Sequence, residues 1–240
     1  RLMRCGCWPR SVCEAFTRSS ASSRNAFRMT AESPRTAGDA VDPCDVKGFL
    51  ARNEGEALYE IAREGGRLGP CLEIGGYCGR STVWLARGAR AVDAVVFSVD
   101  HHRGSEEHQP GEGYHDPELV DPVRGVFDTF PTFRQTLARA GVEDVVVPVV
   151  APSGVAARGW ATPLGLVFID GGHSEAAAQG DYDGWGKHVC EGGFLAIHDV
   201  FFDPGAGGQA PRHVYERAQA DGGFVPYAFV ETLGILRRET

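Results

Sequence analysis

Five short apolar runs, each closed by a glycine-rich or polar corner, constrain this chain more than any other feature. They cover residues 71–74, 94–99, 145–150, 165–169 and 194–197. Helical patterns separate most of them, at 81–87, 130–140 and 174–189, with a further helix at 211–220. Helix stops fall where they are needed, as at Gly88 and Gly141, and Pro131 sits in a first turn, where a missing N–H costs nothing. An earlier helical pattern runs from 46 to 62. Strands alternating with helices imply a Rossmann-like α/β fold, a doubly wound and mostly parallel sheet with helices on both faces. The β-branched run at 145–150 reads as a buried parallel strand. Two last strand-like segments, 224–230 and 233–237, have no long helix between them, which predicts an antiparallel edge pair at the C-terminus.

In such sheets ligands bind beyond the carboxyl ends of the strands. The residues at those ends are Gly75-Gly76, Asp100-His101-His102, Ala151-Pro152-Ser153, Asp170-Gly171-Gly172-His173 and His198-Asp199. A polar set at the ends of five apolar strands is expected to converge on one rim. The loop Glu73-Ile74-Gly75-Gly76-Tyr77-Cys78-Gly79-Arg80-Ser81-Thr82 lies between a strand and a helix, as a nucleotide loop requires. Asp100 ends the next strand, where an acid can accept both ribose hydroxyls of an adenosine. The spacing Gly75-Gly76-x-x-Gly79 is not the G-x-G-x-x-G of dinucleotide folds. Glu73 before the loop argues against a pyrophosphate and suits a ligand carrying a cationic amino group and a sulfonium.

These residues resemble a known family. Leu72-Glu73-Ile74-Gly75 with Tyr77, Gly79 and Ser81-Thr82 resembles motif I of class I S-adenosylmethionine-dependent methyltransferases. Phe168-Ile169-Asp170-Gly171-Gly172-His173-Ser174 is similar to their fourth-strand motif, and the stretch from Gly192 to Val200 to their fifth. Together they look like the small-molecule group called methyltransferase family 24, similar in outline to catechol-type O-methyltransferases. The resemblance implies that Glu73, Gly75, Gly76, Tyr77, Gly79 and Ser81 lie around the methionine part of the cofactor. It further implies that Asp100 holds the ribose, that Ser153 lies near the adenine, and that Asp170 sits beside the methyl group. Catechol-type enzymes hold Mg²⁺ with an Asp at the fourth strand and an Asp-Asn pair at the fifth. This chain offers Asp170 and then His198-Asp199, so the set Asp170, His198, Asp199 is a candidate metal site in which the imidazole favours a transition metal.

The expected catalytic residues are therefore Asp170, His198, Asp199 and His173. His198-Asp199 reads either as a general base with its orienter or as two metal ligands; the plain alternative is a turn cap and a backbone-bonded imidazole. His173 is balanced between a ligand or base and the start of the next helix. The loop from 101 to 121 carries four histidines together with Glu106, Glu107 and Glu112 but reads as a lid, with Tyr114 folding onto the acceptor. Cys78 reads as a small filler, and Trp84, Trp160 and Trp185 as core.

Composition narrows the partners. A formal charge of −8 does not suit a phosphate-holding surface, so no nucleic acid is expected. No apolar run approaches the ~20 residues of a membrane span, and no membrane partner is expected. Seven scattered cysteines without a CxxC pair read as reduced thiols in a cytoplasmic protein. Residues 1–28 hold six arginines against the single acid Glu14. That composition fits a transit peptide, but a disordered leader or an extension upstream of a start at Met29 is the expectation, running to about Pro43. The domain is then expected over residues 44–240. The function expected is transfer of a methyl group from S-adenosylmethionine to a small-molecule hydroxyl, with a divalent metal and a homo-oligomer left open. The rivals are a nicotinamide-dependent oxidoreductase on a similar fold and a non-catalytic cofactor-binding module.

Overall fold

The computed structural model describes residues 41–239, so the expectations for residues 1–28 and for a start at Met29 lie outside the described residues. The packed chain includes residues ahead of the expected boundary at 44. Val41 and Pro43 are buried, and the Arg87 guanidinium donates to the Val41 carbonyl.

Seven strands form one sheet: β1 (Cys71–Ile74), β2 (Val96–Asp100), β3 (Val146–Val150), β4 (Leu164–Ile169), β5 (Val189–Ile197), β6 (Phe224–Val230) and β7 (Leu233–Arg238). Their spatial order is β3-β2-β1-β4-β5-β7-β6. The first five are parallel, and β7 lies antiparallel between β5 and β6. The expected fold class and the antiparallel C-terminal pair are both borne out. Register aligns the strand ends, because Ile74 pairs with Val99 and Ile169, and Ile169 pairs with Ile197. The chain therefore leaves β1, β2, β4 and β5 at one rim, and the corners meet there.

The helices are α1 (Arg52–Gly65), α2 (Arg80–Arg90), α3 (Phe130–Ala140), α4 (Ser153–Ala157), α5 (Glu175–Trp185) and α6 (Ala210–Ala220). Leu58 and Ile61 of α1, Val83 and Leu85 of α2 and Phe133 of α3 share one buried cluster on one face. Ala178, Tyr182 and Trp185 of α5 and Val214 of α6 share the other. Each helix thus buries one apolar stripe on the sheet, the arrangement that βαβ order requires.

Three expectations need correction, the first being the helix stop at Gly88: α2 runs through that residue to Arg90. The strand at 145–150 is not buried: β3 is an edge strand paired with β2 alone, and Val147 and Val150 are 41% and 53% exposed. The helix expected from 46 begins at Arg52. Arg80 holds the preceding segment in a non-helical path by donating to the carbonyls of Cys44, Val46 and Leu50. One guanidinium that satisfies three backbone acceptors fixes a strap beside the glycine loop, and helical periodicity cannot reveal such a contact.

Candidate active site

The rim encloses a cavity of about 440 Å³. Its floor comes from the strand ends, namely Gly75, Gly76, Asp100, Ser153, Asp170, His198 and Asp199. Its cover comes from the strap (Lys47, Phe49) and from the loop after β2 (Glu106, Glu107, His108, Tyr114). That loop is pinned from several sides. Asp100 accepts from the backbone N–H of Tyr77 at 2.9 Å and of His102 at 2.7 Å. The Tyr77 ring lies 5.3 Å from His108, and the Phe49 ring 5.3 Å from Tyr114. Lys47 pairs with Glu118 at 2.9 Å. No helix among the described residues is long and apolar enough to cross a membrane.

The structure separates the expected cofactor residues into two groups. Gly75, Gly76, Tyr77, Ser81, Asp100, Ser153 and Asp170 line the cavity. Glu73 and Gly79 do not. Gly79 caps α2 in a left-handed conformation, φ 95°. Glu73 is fully buried beneath the loop, where Ser81 Oγ donates to it at 3.0 Å and Thr82 Oγ1 also bonds it. It ties β1 to the first turn of α2 and reaches a ligand only through that framework.

Burial pushes the Glu73 carboxyl up to about 7, against the hydrogen bonds from Thr82 and Ser81. Its folded pKa stands above its ordinary value of 4.5. The stability linked to it is therefore present below about 4.5 and lost as pH rises through about 7. Glu73→Gln is expected to flatten this dependence and to narrow the stability gap between pH 5 and pH 8 by roughly 2–3 kcal/mol. Urea unfolding of both proteins at the two pH values measures it, and parallel pH profiles would contradict the assignment.

At the other end of the cavity acids and imidazoles alternate. His198 is 4% exposed, and both its ring nitrogens are occupied. Nε2 meets Glu54 Oε2 at 3.1 Å, and Nδ1 meets Asp170 Oδ1 at 3.0 Å and Asp199 Oδ2 at 3.4 Å. Burial pulls the His198 pKa down, but the carboxylates of Asp170, Asp199 and Glu54 outweigh it and hold the ring protonated far above the usual range. Burial likewise raises the Asp199 pKa, but bonds from His173 and His198 outweigh it and hold the carboxyl well below the usual range. His173 Nε2 meets Asp199 Oδ2 at 3.1 Å and Nδ1 meets Glu107 Oε2 at 3.0 Å. The Asp199 contact, joined by Glu107, raises the His173 pKa to about 9 against its burial.

This geometry differs from that expected of a His198 general base or metal ligand, in which one ring nitrogen stays free. His198 is almost fully buried with a carboxylate on each nitrogen, which places it as a partner of the rim acids. Among the described residues, Asp170, His173 and Asp199 form a group whose possible ligand atoms lie within 4.8 Å of one another. His173 stands in this group and His198 does not; His173 too meets a carboxylate on each nitrogen, but its side chain is 32% exposed. Within the loop, His102 is buried against Thr129 Oγ1 at 2.7 Å and His108 bonds Ser105 Oγ at 2.8 Å, which agrees with a lid rather than a metal centre. Cys78 is buried filler, and Trp84 and Trp185 are core.

Two further acids went unnoticed in the sequence. Glu54 stands in the first turn of α1 at 3% exposure. Asp181 lies among the buried residues of α5 and lines the cavity; burial pushes its carboxyl up to about 6, opposed by a hydrogen bond with Ser153. An acid on the apolar stripe formed by Ala178, Tyr182 and Trp185 was the one available signal for Asp181.

A parallel sheet in this strand order, with a glycine corner after β1 and acids after β2 and β4, defines a cofactor-binding α/β enzyme fold. Comparison with known proteins makes this specific. The model of a family described as a methyltransferase domain matches residues 72–200, more than half of the chain. The chain belongs to this methyltransferase family, and the expectation of a class I S-adenosylmethionine-dependent methyltransferase is borne out. Among similar solved structures is a putative O-methyltransferase from Klebsiella pneumoniae, 18% identical, with TM-score 0.58 over 81% of this chain and 84% of that one. An O-methyltransferase from Bacillus cereus in complex with SAH is 19% identical, with TM-score 0.55 over 80% and 83%. The O-methyltransferase TomG from Streptomyces achromogenes, in complex with SAM, is 18% identical, with TM-score 0.54 over 80% and 82%. At these identities the likeness is one of fold.

Proposed function

We propose that the chain moves the methyl group of S-adenosylmethionine to a hydroxyl of a small molecule. The observation that carries this is the convergence of Gly75-Gly76, Asp100, Ser153 and Asp170 on one cavity at the strand ends. S-Adenosylmethionine, when bound, supplies a methyl group on a positively charged sulfur. Asp100 accepts from the ribose hydroxyls, and its two backbone donors keep the carboxylate aimed. Ser153 faces the base, while Gly75 and Gly76 admit the methionine part close to the backbone. Asp170 and Asp199 set a negative field where the sulfonium and the acceptor meet. The lid and strap exclude water, and the acceptor hydroxyl gives up its proton on the Asp170 side. Most of the acceleration comes from holding the two reactants at near-attack distance, about 3–3.5 Å. The solved O-methyltransferases of similar fold support the hydroxyl as acceptor. Cys44, Cys71, Cys78 and Cys190 are free thiols, which supports a cytoplasmic setting.

The donor set Asp170, His173 and Asp199 fits a divalent ion. The Glu107 carboxylate on His173 Nδ1 orients the ring, the usual way an outer carboxylate supports a metal-bound imidazole, and an ion would take Nε2 by displacing its 3.1 Å contact with Asp199. Such an ion would act as a Lewis acid on the acceptor oxygen. Removing divalent ions with a chelator is expected to abolish methyl transfer, and Mn²⁺, Co²⁺ or Zn²⁺ should restore it better than Mg²⁺ because one donor is an imidazole. Full activity in the chelator would assign proton removal to the protein groups alone.

A further inference from the structure

The rim carboxylates do not stand alone. Behind them is a strut that joins three distant parts of the chain, and its centre is Glu54. Glu54 Oε2 accepts from the Ala51 N–H at 2.9 Å and meets His198 Nε2 at 3.1 Å. Glu54 Oε1 accepts from both the N–H and the hydroxyl of Thr232, at 2.9 and 2.8 Å. Thr232 lies in the turn between β6 and β7, and its carbonyl accepts from the Val200 N–H at 2.9 Å, one residue past Asp199. Asn53 adds a bond from its side chain to Glu231 at 2.7 Å. The first turn of α1, the end of β5 and the C-terminal hairpin are thus locked around one carboxylate. Glu54 and His198 are 3% and 4% exposed, so neither can exchange its partner for water.

We propose that Glu54, itself held by Thr232, is a positioning residue for methyl transfer: it fixes the His198 ring so that Nδ1 points between Asp170 and Asp199. The geometry leaves little freedom. With Nε2 anchored on Glu54, the ring cannot flip or turn, and its one remaining donor faces the two rim oxygens at 3.0 and 3.4 Å. Two carboxylates that would otherwise repel are kept at a set separation, and that separation is what the acceptor and any bound ion meet. Glu54 itself does not line the cavity and touches no reactant. The inference rests on the methyl-transfer reading above, in which Asp170 and Asp199 face the reacting groups.

Glu54→Gln keeps the shape and the Oε1 acceptor for Thr232 but removes the charge facing His198. Thr232→Val removes one of the two donors that aim Glu54, and it serves as the second variant should Glu54→Gln fail to fold. Three readouts decide the matter: S-adenosylhomocysteine affinity by calorimetry, turnover with catechol as the probe acceptor, and the His198 ring N–H signals by ¹⁵N NMR of the resting protein. The expected result is a turnover roughly 10–100-fold lower in Glu54→Gln, the scale set by outer partners of site residues. A smaller loss is expected in Thr232→Val, with cofactor affinity changed less than two-fold in both. The Nδ1–H signal, reporting the bond to Asp170 and Asp199, should shift in both variants. An unmoved Nδ1–H signal, or a turnover loss that only follows the melting temperature, would reduce Glu54 to a helix cap and overturn the proposal. If catechol is not turned over by the parent protein, the acceptor reading fails, and the ring signals still decide whether Glu54 sets the geometry.

Discussion

Replacing Asp170 by alanine is expected to lower methyl transfer by roughly a thousand-fold, within the range for a group that handles the reacting proton. Three functions would be lost together. Asp170 follows the end of β4 beside Gly75, lines the cavity and belongs to the group of three that fits a divalent ion. It also takes the Nδ1 bond of His198 at 3.0 Å, so its removal leaves the buried imidazole leaning on Asp199. Cofactor affinity should change far less than turnover, because the proposed function assigns the ribose and base to Asp100 and Ser153, which also line the cavity. Single-turnover kinetics together with S-adenosylhomocysteine binding separate the two effects. Full activity of both Asp170→Ala and His198→Ala would refute the assignment of this rim as catalytic.

Gly75→Ala is expected to be among the most disruptive single methyl additions to the described residues. Gly75 has φ 93°, a conformation L side chains rarely adopt, and a Cβ there would sit within the van der Waals envelope of the Asp170 carbonyl oxygen. Both the strain and the clash fall where β1 and β4 end side by side, so relief requires the two catalytic corners to separate. A loss of roughly 3–5 kcal/mol, the upper range for point substitutions, is expected, with cofactor binding lost as well. Urea unfolding measures the first and calorimetry the second. An alanine variant of unchanged stability that still binds cofactor would show that this corner is more pliable than its packing indicates.

Much of this site was legible because strand ends are legible. Apolar runs that stop at glycine or aspartate mark where a parallel sheet presents its carboxyl edge, and the register of Ile74, Ile169 and Ile197 brings those ends level. Gly75, Asp100, Ser153 and Asp170 all reach the cavity as their positions implied. What stayed hidden depends on side-chain direction and on contacts distant in sequence. Glu73 and Tyr77 are four residues apart, yet one is buried against the first turn of α2 and the other lines the cavity. His198 has no free ring nitrogen because Glu54, 144 residues away, meets its Nε2. The edge position of β3 was equally beyond reach, since a β-branched run reads the same in the middle of a sheet as at its margin.

The central claim, that this cavity takes S-adenosylmethionine along the line from Ser153 through Asp100 to Asp170, is tested most directly by calorimetric titration with S-adenosylhomocysteine. The account predicts one site per chain with a dissociation constant in the micromolar range, about −8 kcal/mol. Asp100→Ala should weaken it by ~1.5–3 kcal/mol, the scale of hydrogen bonds to a charged group. No heat and no thermal shift with either S-adenosylhomocysteine or S-adenosylmethionine, from a folded protein, would contradict it.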